Sequence, residues 1–313
     1  MADENTADVL QALRKLAGYE GVFAENCSIQ RLGGLTNLVY RVEFEGQSVI
    51  VRIPGAGTEA YIDRAVEIHN TRVAADVGIA AKVLWADPAT GVMISDCIEN
   101  IETMTPTLFH SRDGSPARAG AALRQLHQAP VPFEFRFELF TMIDSYLEIL
   151  SKKQTTLPDG YQDVVAEAAP VKQLLADKPG DLAPSHCDPL CENFLDDGVR
   201  MWIVDYEYSG MNDPLWDLGD LSVEAGLTEA QDLEMLTAYF GAAPSAAKIG
   251  RMVIYKAMCD LLWTLWGLIQ HADGNPAEDF WAYALTRFER CQLLMTDPAF
   301  AGHMAAVRAV DEA

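Results

Sequence analysis

The feature that most constrains how this chain folds is a switch in hydrophobic period near residue 100. Between residues 28 and 53 apolar and polar side chains alternate through Ser-Ile-Gln-Arg-Leu, Gly33-Gly34-Leu35-Thr36-Asn37, Leu-Val-Tyr-Arg-Val-Glu-Phe, a turn at Gly46 and Ser-Val-Ile-Val-Arg-Ile. Period two marks strands with one buried face, so this stretch reads as strand, glycine loop, strand, turn, strand. A helical stretch follows over about residues 58–77, and short apolar runs at 82–86 and 91–98 flank the turn signal Asp87-Pro88-Ala89-Thr90. An amphipathic helix over residues 6–17, with Val9, Leu10, Leu13 and Leu16 at helical spacing, precedes them. Residues 1–99 are therefore expected to form a small α+β lobe with an antiparallel sheet.

From residue 100 to 313 the pattern is mainly helical, with candidate helices near 117–128, 138–151, 160–175, 228–239, 244–272 and 277–295. One strand-rich island, at 193–207, interrupts them, and Asp197-Gly198 within it is a hairpin signal. A strand-rich lobe against a larger helical lobe predicts a ligand cleft between the two.

Charge narrows the function classes. The 313 residues carry 23 Lys plus Arg against 46 Asp plus Glu, a net −23, which repels phosphate backbones and anionic headgroups. No local basic patch offsets this, so neither nucleic acid nor a membrane surface is an expected partner. The acidic start Met-Ala-Asp-Glu-Asn lacks a signal-peptide pattern, and the apolar run at 261–269 is about half the roughly 20 residues a bilayer requires. A cytoplasmic protein with reduced thiols is expected. Cys187 and Cys191 have no second Cys or His pair at finger spacing, which argues against zinc.

The densest chemistry lies at His186-Cys187-Asp188-Pro189-Leu190-Cys191-Glu192-Asn193, then Asp205-Tyr206-Glu207 past the hairpin, then Asp213 and Asp217. Phosphoryl transfer needs a carboxylate to deprotonate the attacking hydroxyl and oxygen ligands for Mg²⁺ at the nucleotide phosphates. With Asp197-Gly198 as the turn, Asn193 is expected opposite Trp202, placing Asp205 about three residues, or roughly 10 Å, beyond.

His-x-Asp-x-x-x-x-Asn followed by a hydrophobic strand and Asp-x-Glu-Tyr resembles the choline/ethanolamine kinase family, within the aminoglycoside-phosphotransferase-like, protein-kinase-related superfamily. The likeness covers roughly residues 29–295 and implies a two-lobed protein-kinase-like fold using ATP and Mg²⁺. It implies that Asp188 is the catalytic base, with Asn193 and Asp205 as Mg²⁺ ligands and Glu207 beside them. His186 would brace the catalytic loop, and Asp217 would buttress it from behind.

The small lobe supports the same reading. Glycines in the Gly33-Gly34 loop let backbone N–H groups approach phosphates, with side-chain contacts from Thr36 or Asn37. Arg52 on the next strand and Glu67 on the following helix stand where protein kinases pair a lysine with a glutamate. Backbone groups around Asp96 to Ile98 resemble the hinge that meets adenine. For the phosphate acceptor, Trp263 and Trp266 share a helix face, and the family resemblance adds Glu224 and Tyr283, together forming an aromatic cage for a quaternary ammonium group.

The expected activity is transfer of the γ-phosphate of ATP to choline or a related amino alcohol such as ethanolamine. Two alternatives stay open: a phosphotransferase of the same superfamily acting on an aminoglycoside or other hydroxyl compound, and a non-catalytic nucleotide- or choline-sensing module. Leu190, where animal members carry glutamine, is the departure from the family pattern that bears on them.

Overall fold

The computed structural model of the protein describes residues 5–33, 37–55 and 62–309. Helix α1 (Thr6–Leu13) packs Val9, Leu10 and Leu13 against one face of an antiparallel sheet. That sheet is built from β1 (Ser28–Arg31), β2 (Asn37–Phe44), β3 (Gln47–Pro54), β4 (Val83–Ala86) and β5 (Met93–Asp96), in the order β1-β2-β3-β5-β4. Alternation decides which side chains meet the helix. Tyr40 pairs with Val51 and Val42 with Val49, and all four are buried in the cluster that α1 covers. Arg52, one residue on, points to the opposite face.

Between β3 and β5 runs α2 (Arg64–Asp76). Its start is set by Asp63, whose carboxylate accepts the backbone N–H of Ala65 at 3.0 Å and Val66 at 3.2 Å. The expected start near residue 58 is thus too early where the chain is described, since Ile62 and Asp63 are not helical. Val73 and Ala74, near the end of α2, join the apolar cluster of the larger part of the molecule.

That larger part begins with β6 (Glu102–Thr103), α3 (Pro106–Ser111), α4 (Ser115–His127) and α5 (Leu139–Lys153). The single helix expected over 160–175 is instead two, α6 (Tyr161–Glu167) and α7 (Ala169–Asp177). Pro170 sits in the first turn of α7, where its missing N–H is harmless, whereas inside one continuous helix it would break the ladder. Then come β7 (Ala183–Ser185), β8 (Phe194–Asp196), β9 (Met201–Ile203) and β10 (Gly210–Asn212), followed by α8 (Leu215–Ala225), α9 (Glu229–Phe240), α10 (Ala246–Ala272), α11 (Phe280–Thr296) and α12 (Pro298–Arg308).

The hairpin lies at Asp197-Gly198, but its register differs from the expectation. Phe194 pairs with Ile203, which places Asn193 opposite Val204 rather than Trp202. The cause is a four-residue connection: the Asp197 side chain accepts the N–H groups of Val199 and Arg200, both at 2.8 Å, and Asp197 N–H donates to Arg200 O. The shift brings Asp205 two residues closer to Asn193.

Helix α10 is long and apolar enough to cross a bilayer, yet 78% of its most apolar window is buried inside the protein. It packs against α5, α8, α11 and α12. Its approach to α12 is permitted by Gly250, where a Cβ would fall 2.7 Å from the carbonyl oxygen of His303. One position from His303, Gly302 is exposed, and a Cβ there would meet nothing within 4 Å. Gly250→Ala is expected to cost about 1–3 kcal/mol by overpacking, and Gly302→Ala to add about 1 kcal/mol through helix propensity. Thermal or urea midpoints of the two variants check this, and shifts of the same sign would contradict the close approach.

Candidate functional site

The centre of the site is the loop between β7 and β8, and one buried carboxylate holds it. Asp217, on the first turn of α8, accepts the backbone N–H of His186 at 2.6 Å and of Cys187 at 2.8 Å, while His127 Nε2 lies 2.9 Å away. Cys187 carries a φ of +68°, a conformation that few non-glycine residues adopt. Its carbonyl accepts the Trp216 indole N–H at 3.0 Å. His186 Nε2 donates to the carbonyl of Val204 at 2.9 Å, and burial pushes its imidazole below the ordinary value, so it is a neutral brace. Farther along, Asn193 Nδ2 donates to the Asp188 carbonyl at 3.0 Å, closing the loop on itself.

This scaffold presents the Asp188 side chain to two charged neighbourhoods. Burial pushes its carboxyl well above the usual range; Glu224 adds to the effect, then Asp205 and Glu207, with Arg287 opposing. Asp188 therefore feels Glu224 as well as the acidic pair beyond β9.

That pair belongs to a compact cluster. Glu67, Asp205 and Glu207 each offer a carboxylate oxygen within 4.8 Å of the others. Asn37 Nδ2 donates to Asp205 at 3.3 Å and to Glu207 at 3.2 Å. Fully buried, Glu67 is gripped by Arg52 and by Arg64, the latter at 2.8 Å; Arg64 also reaches Glu207 at 3.3 Å, and Arg52 reaches Asp205 at 3.7 Å. Burial raises the Asp205 carboxyl and Arg52 opposes it, while Glu207 is raised by burial and then by Asp205. Two arginines against three acids leave a negative, oxygen-rich pocket, the donor chemistry that Mg²⁺ prefers. Glu67 is held by both arginines, so Asp205, Glu207 and the Asn193 side-chain oxygen are the groups that could serve such an ion.

Glu224, the other acid that Asp188 feels, lies beside an aromatic group. Trp263 and Trp266 meet edge to face at 6.5 Å, Tyr208 lies 5.7 Å from Trp263, and Tyr283 lies 5.8 Å from Trp266. Trp266 donates its indole N–H to Tyr208 Oη, and Trp263 donates to Asp220 Oδ2, both at 3.1 Å. Glu224 is paired with Arg287, whose guanidinium lies 4.5 Å from the Tyr283 ring centroid. Asp260, fully buried, pairs with Arg287 and with Arg290 and so anchors that arginine from behind.

The structure thus brings Asp188, His186, Asn193, Asp205, Glu207 and Asp217 together from the sequence motif, and joins to them Asn37, Arg52 and Glu67. Gly33 is exposed at the end of β1; Gly34 and Thr36 lie outside the described residues. Asp96 pairs with Val49, so its side chain lies on the α1 face, away from Arg52, while its N–H donates to Lys82 O. Ile98 is half-buried just beyond β5. Sequence reasoning missed Arg64, Tyr208 and Asp220. Arg64 stands three residues before Glu67, an ion-pair spacing that was legible. Tyr208 is the tyrosine that closes the Asp-x-Glu-Tyr motif, but nothing in the motif pointed to its contact with the tryptophans.

Comparison with known proteins gives the family and the fold. Residues 29–236 match the choline/ethanolamine kinase family. A solved choline/ethanolamine kinase family protein from Mesorhizobium loti is 55% identical, with a TM-score of 0.88 over 97% of this chain and 99% of that one. Choline kinase LicA from Streptococcus pneumoniae is 28% identical, with a TM-score of 0.73 over 86% of this chain and 93% of its own. Ethanolamine kinase 2 of Mus musculus is 26% identical over 289 residues, 82% of this chain and 73% of the relative. The architecture is the two-lobed protein-kinase-like fold, with a small antiparallel sheet and a mainly helical remainder. The chain belongs to the choline/ethanolamine kinase family.

Proposed function

We propose that this protein transfers the γ-phosphoryl group of ATP to the hydroxyl of choline or a closely related amino alcohol. The observation that carries the reading is the position of Asp188, whose carboxyl responds to the Asp205–Glu207 pair and to Glu224 beside the aromatic group. A base there serves a reaction whose phosphate donor and cationic acceptor arrive from different sides. The choline kinase and ethanolamine kinase among the relatives support the same substrate class.

On this reading the acceptor's ammonium head rests against Trp263, Trp266 and Tyr283, with Glu224 supplying negative charge. Its hydroxyl reaches Asp188, which takes the proton as the oxygen attacks the γ-phosphorus. A new O–P bond forms, the bond from the γ-phosphorus to the bridging oxygen breaks, and ADP leaves. Burial of Asp188 makes its carboxylate a stronger base than one in water. Arg52, steadied by Glu67, offers its guanidinium to the phosphates, and the loop around Gly33 and Gly34 offers backbone N–H groups. Asn193 and Asp205, with Glu207 beside them, would hold Mg²⁺, which neutralises phosphate charge when bound. His186 and Asp217 fix the loop and touch no substrate. Asp96 and Ile98 are the proposed adenine side, through their backbone groups.

The test is Mg²⁺-dependent ATP consumption across choline, ethanolamine, its N-methylated forms and a panel of aminoglycosides. Turnover with the amino alcohols is expected; turnover with aminoglycosides alone would move the assignment within the superfamily, and none at all would sink it. Asp188→Asn is expected to lower kcat by roughly 10²–10⁴-fold while leaving ATP affinity nearly unchanged. An unaltered kcat would remove Asp188 from the role of base. Trp266→Ala is expected to raise the KM for choline by roughly tenfold or more, the cost of a desolvated cation–π contact, with the KM for ATP within about twofold. Equal effects on both substrates would count against the aromatic cage.

A further inference from the structure

Beside the aromatic group sits a carboxylate to which the phosphotransfer reading gives no role. Asp220 follows Asp217 by three residues and precedes Glu224 by four, so α8 turns all three acids to one face. It is 1% exposed. While its Oδ2 accepts the Trp263 indole N–H, its Oδ1 has no hydrogen-bond partner among the described residues. A buried carboxylate oxygen left without a donor is costly and calls for an explanation.

Its surroundings supply one. The charged and titratable groups around Asp220 are Glu224 on its own helix, Asp188 and Cys187 from the β7–β8 loop, Cys259 on α10, and Arg287 and Tyr283 on α11. Asp188, Asp220 and Glu224 thus share one guanidinium, that of Arg287, which Asp260 also holds. Burial and then Glu224 push the Asp220 carboxyl well above the usual range. A cation arriving at the Trp263 ring would relieve that repulsion and favour the ionised form. The same carboxylate, by accepting the indole N–H, fixes the ring plane and enriches the π face that a cation meets.

We propose that Asp220 is a specificity-determining positioning residue that acts through Trp263, orienting the indole and setting a negative charge behind it that selects a cationic acceptor over a neutral one of the same shape. This rests on the phosphotransfer reading above.

The experiment compares choline with its neutral isostere 3,3-dimethylbutan-1-ol, in wild type and in Asp220→Asn. Asparagine keeps the size and an acceptor for the indole but removes the charge. The variant is expected to raise the KM for choline by roughly tenfold, with the KM for the neutral isostere and for ATP within about twofold. A purely structural role would weaken choline and its isostere alike, and that result, or an unchanged KM for choline, overturns the inference. A pH profile adds a second reading. Because only ionised Asp220 attracts the cation, kcat/KM for choline in wild type should rise with pH through its ionisation more steeply than in Asp220→Asn. Every other acid of the site is present in both proteins, so the difference belongs to Asp220, and identical profiles would overturn the inference as well. Absence of choline turnover in wild type would overturn the phosphotransfer reading and this inference together. Turnover in wild type with an unresponsive Asp220→Asn overturns this inference alone.

Discussion

Three N–H donors converge on the buried carboxylate of Asp217: the backbone amides of His186 and Cys187 and the imidazole of His127. Hydrogen bonds to a charged acceptor are worth about 1.5–3 kcal/mol each, and removing the acceptor would orphan two buried amides. These bonds over-determine the left-handed backbone at Cys187, and Asp205 adopts a similar φ of +67° at the end of the neighbouring hairpin. His186 ties the two strained places together, with its amide on Asp217 and its ring on Val204, one residue before Asp205. The separation of Asp188 from Asp205 is therefore a property of the fold, set by the buried groups behind the loop.

Charge must be managed locally in a chain with a net −23. At the phosphate end, Arg52 and Arg64 are both committed to Glu67 and share Asp205 and Glu207 between them. The result is a rigid network in which the cationic groups are held in place, since each guanidinium is fixed by at least two carboxylates. Removing both arginines would leave Glu67 buried without a charged partner, a penalty of several kcal/mol. The pairing thus keeps positive charge fixed beside an acidic, oxygen-rich pocket.

Much of this was legible in the sequence because it was local or motif-bound. The alternation around Val49 and Val51 placed Arg52 on the face opposite α1, and the 186–193 spacing placed Asp188 and Asn193 in one loop. The hairpin register was not legible, since Asp197 closes its turn through a side chain, which lengthens the connection without changing the turn signal. Helix α8 escaped for a different reason: Leu215 through Val223 are buried on every side, so there is no polar stripe to reveal a period. Asp220 was lost with it, being readable only once the helix and its facing tryptophan are known. Helix α12 was readable in hindsight from Asp297 as cap and Pro298 in the first turn.

The aromatic group poses the opposite electrostatic problem from the acidic cluster. The site proposed for a cation already contains one, Arg287, which lies on the Tyr283 ring and pairs with Glu224. Arg287 is itself held by Asp260, which is fully buried and also bound by Arg290. An arginine so anchored cannot leave its place to occupy the pocket, yet it orients Glu224 and Tyr283, two of the groups proposed to meet the ammonium. It also opposes the upward push that burial and Glu224 exert on the Asp220 carboxyl. On the proposed reading the acids left facing the acceptor favour a cation over a neutral molecule of the same shape.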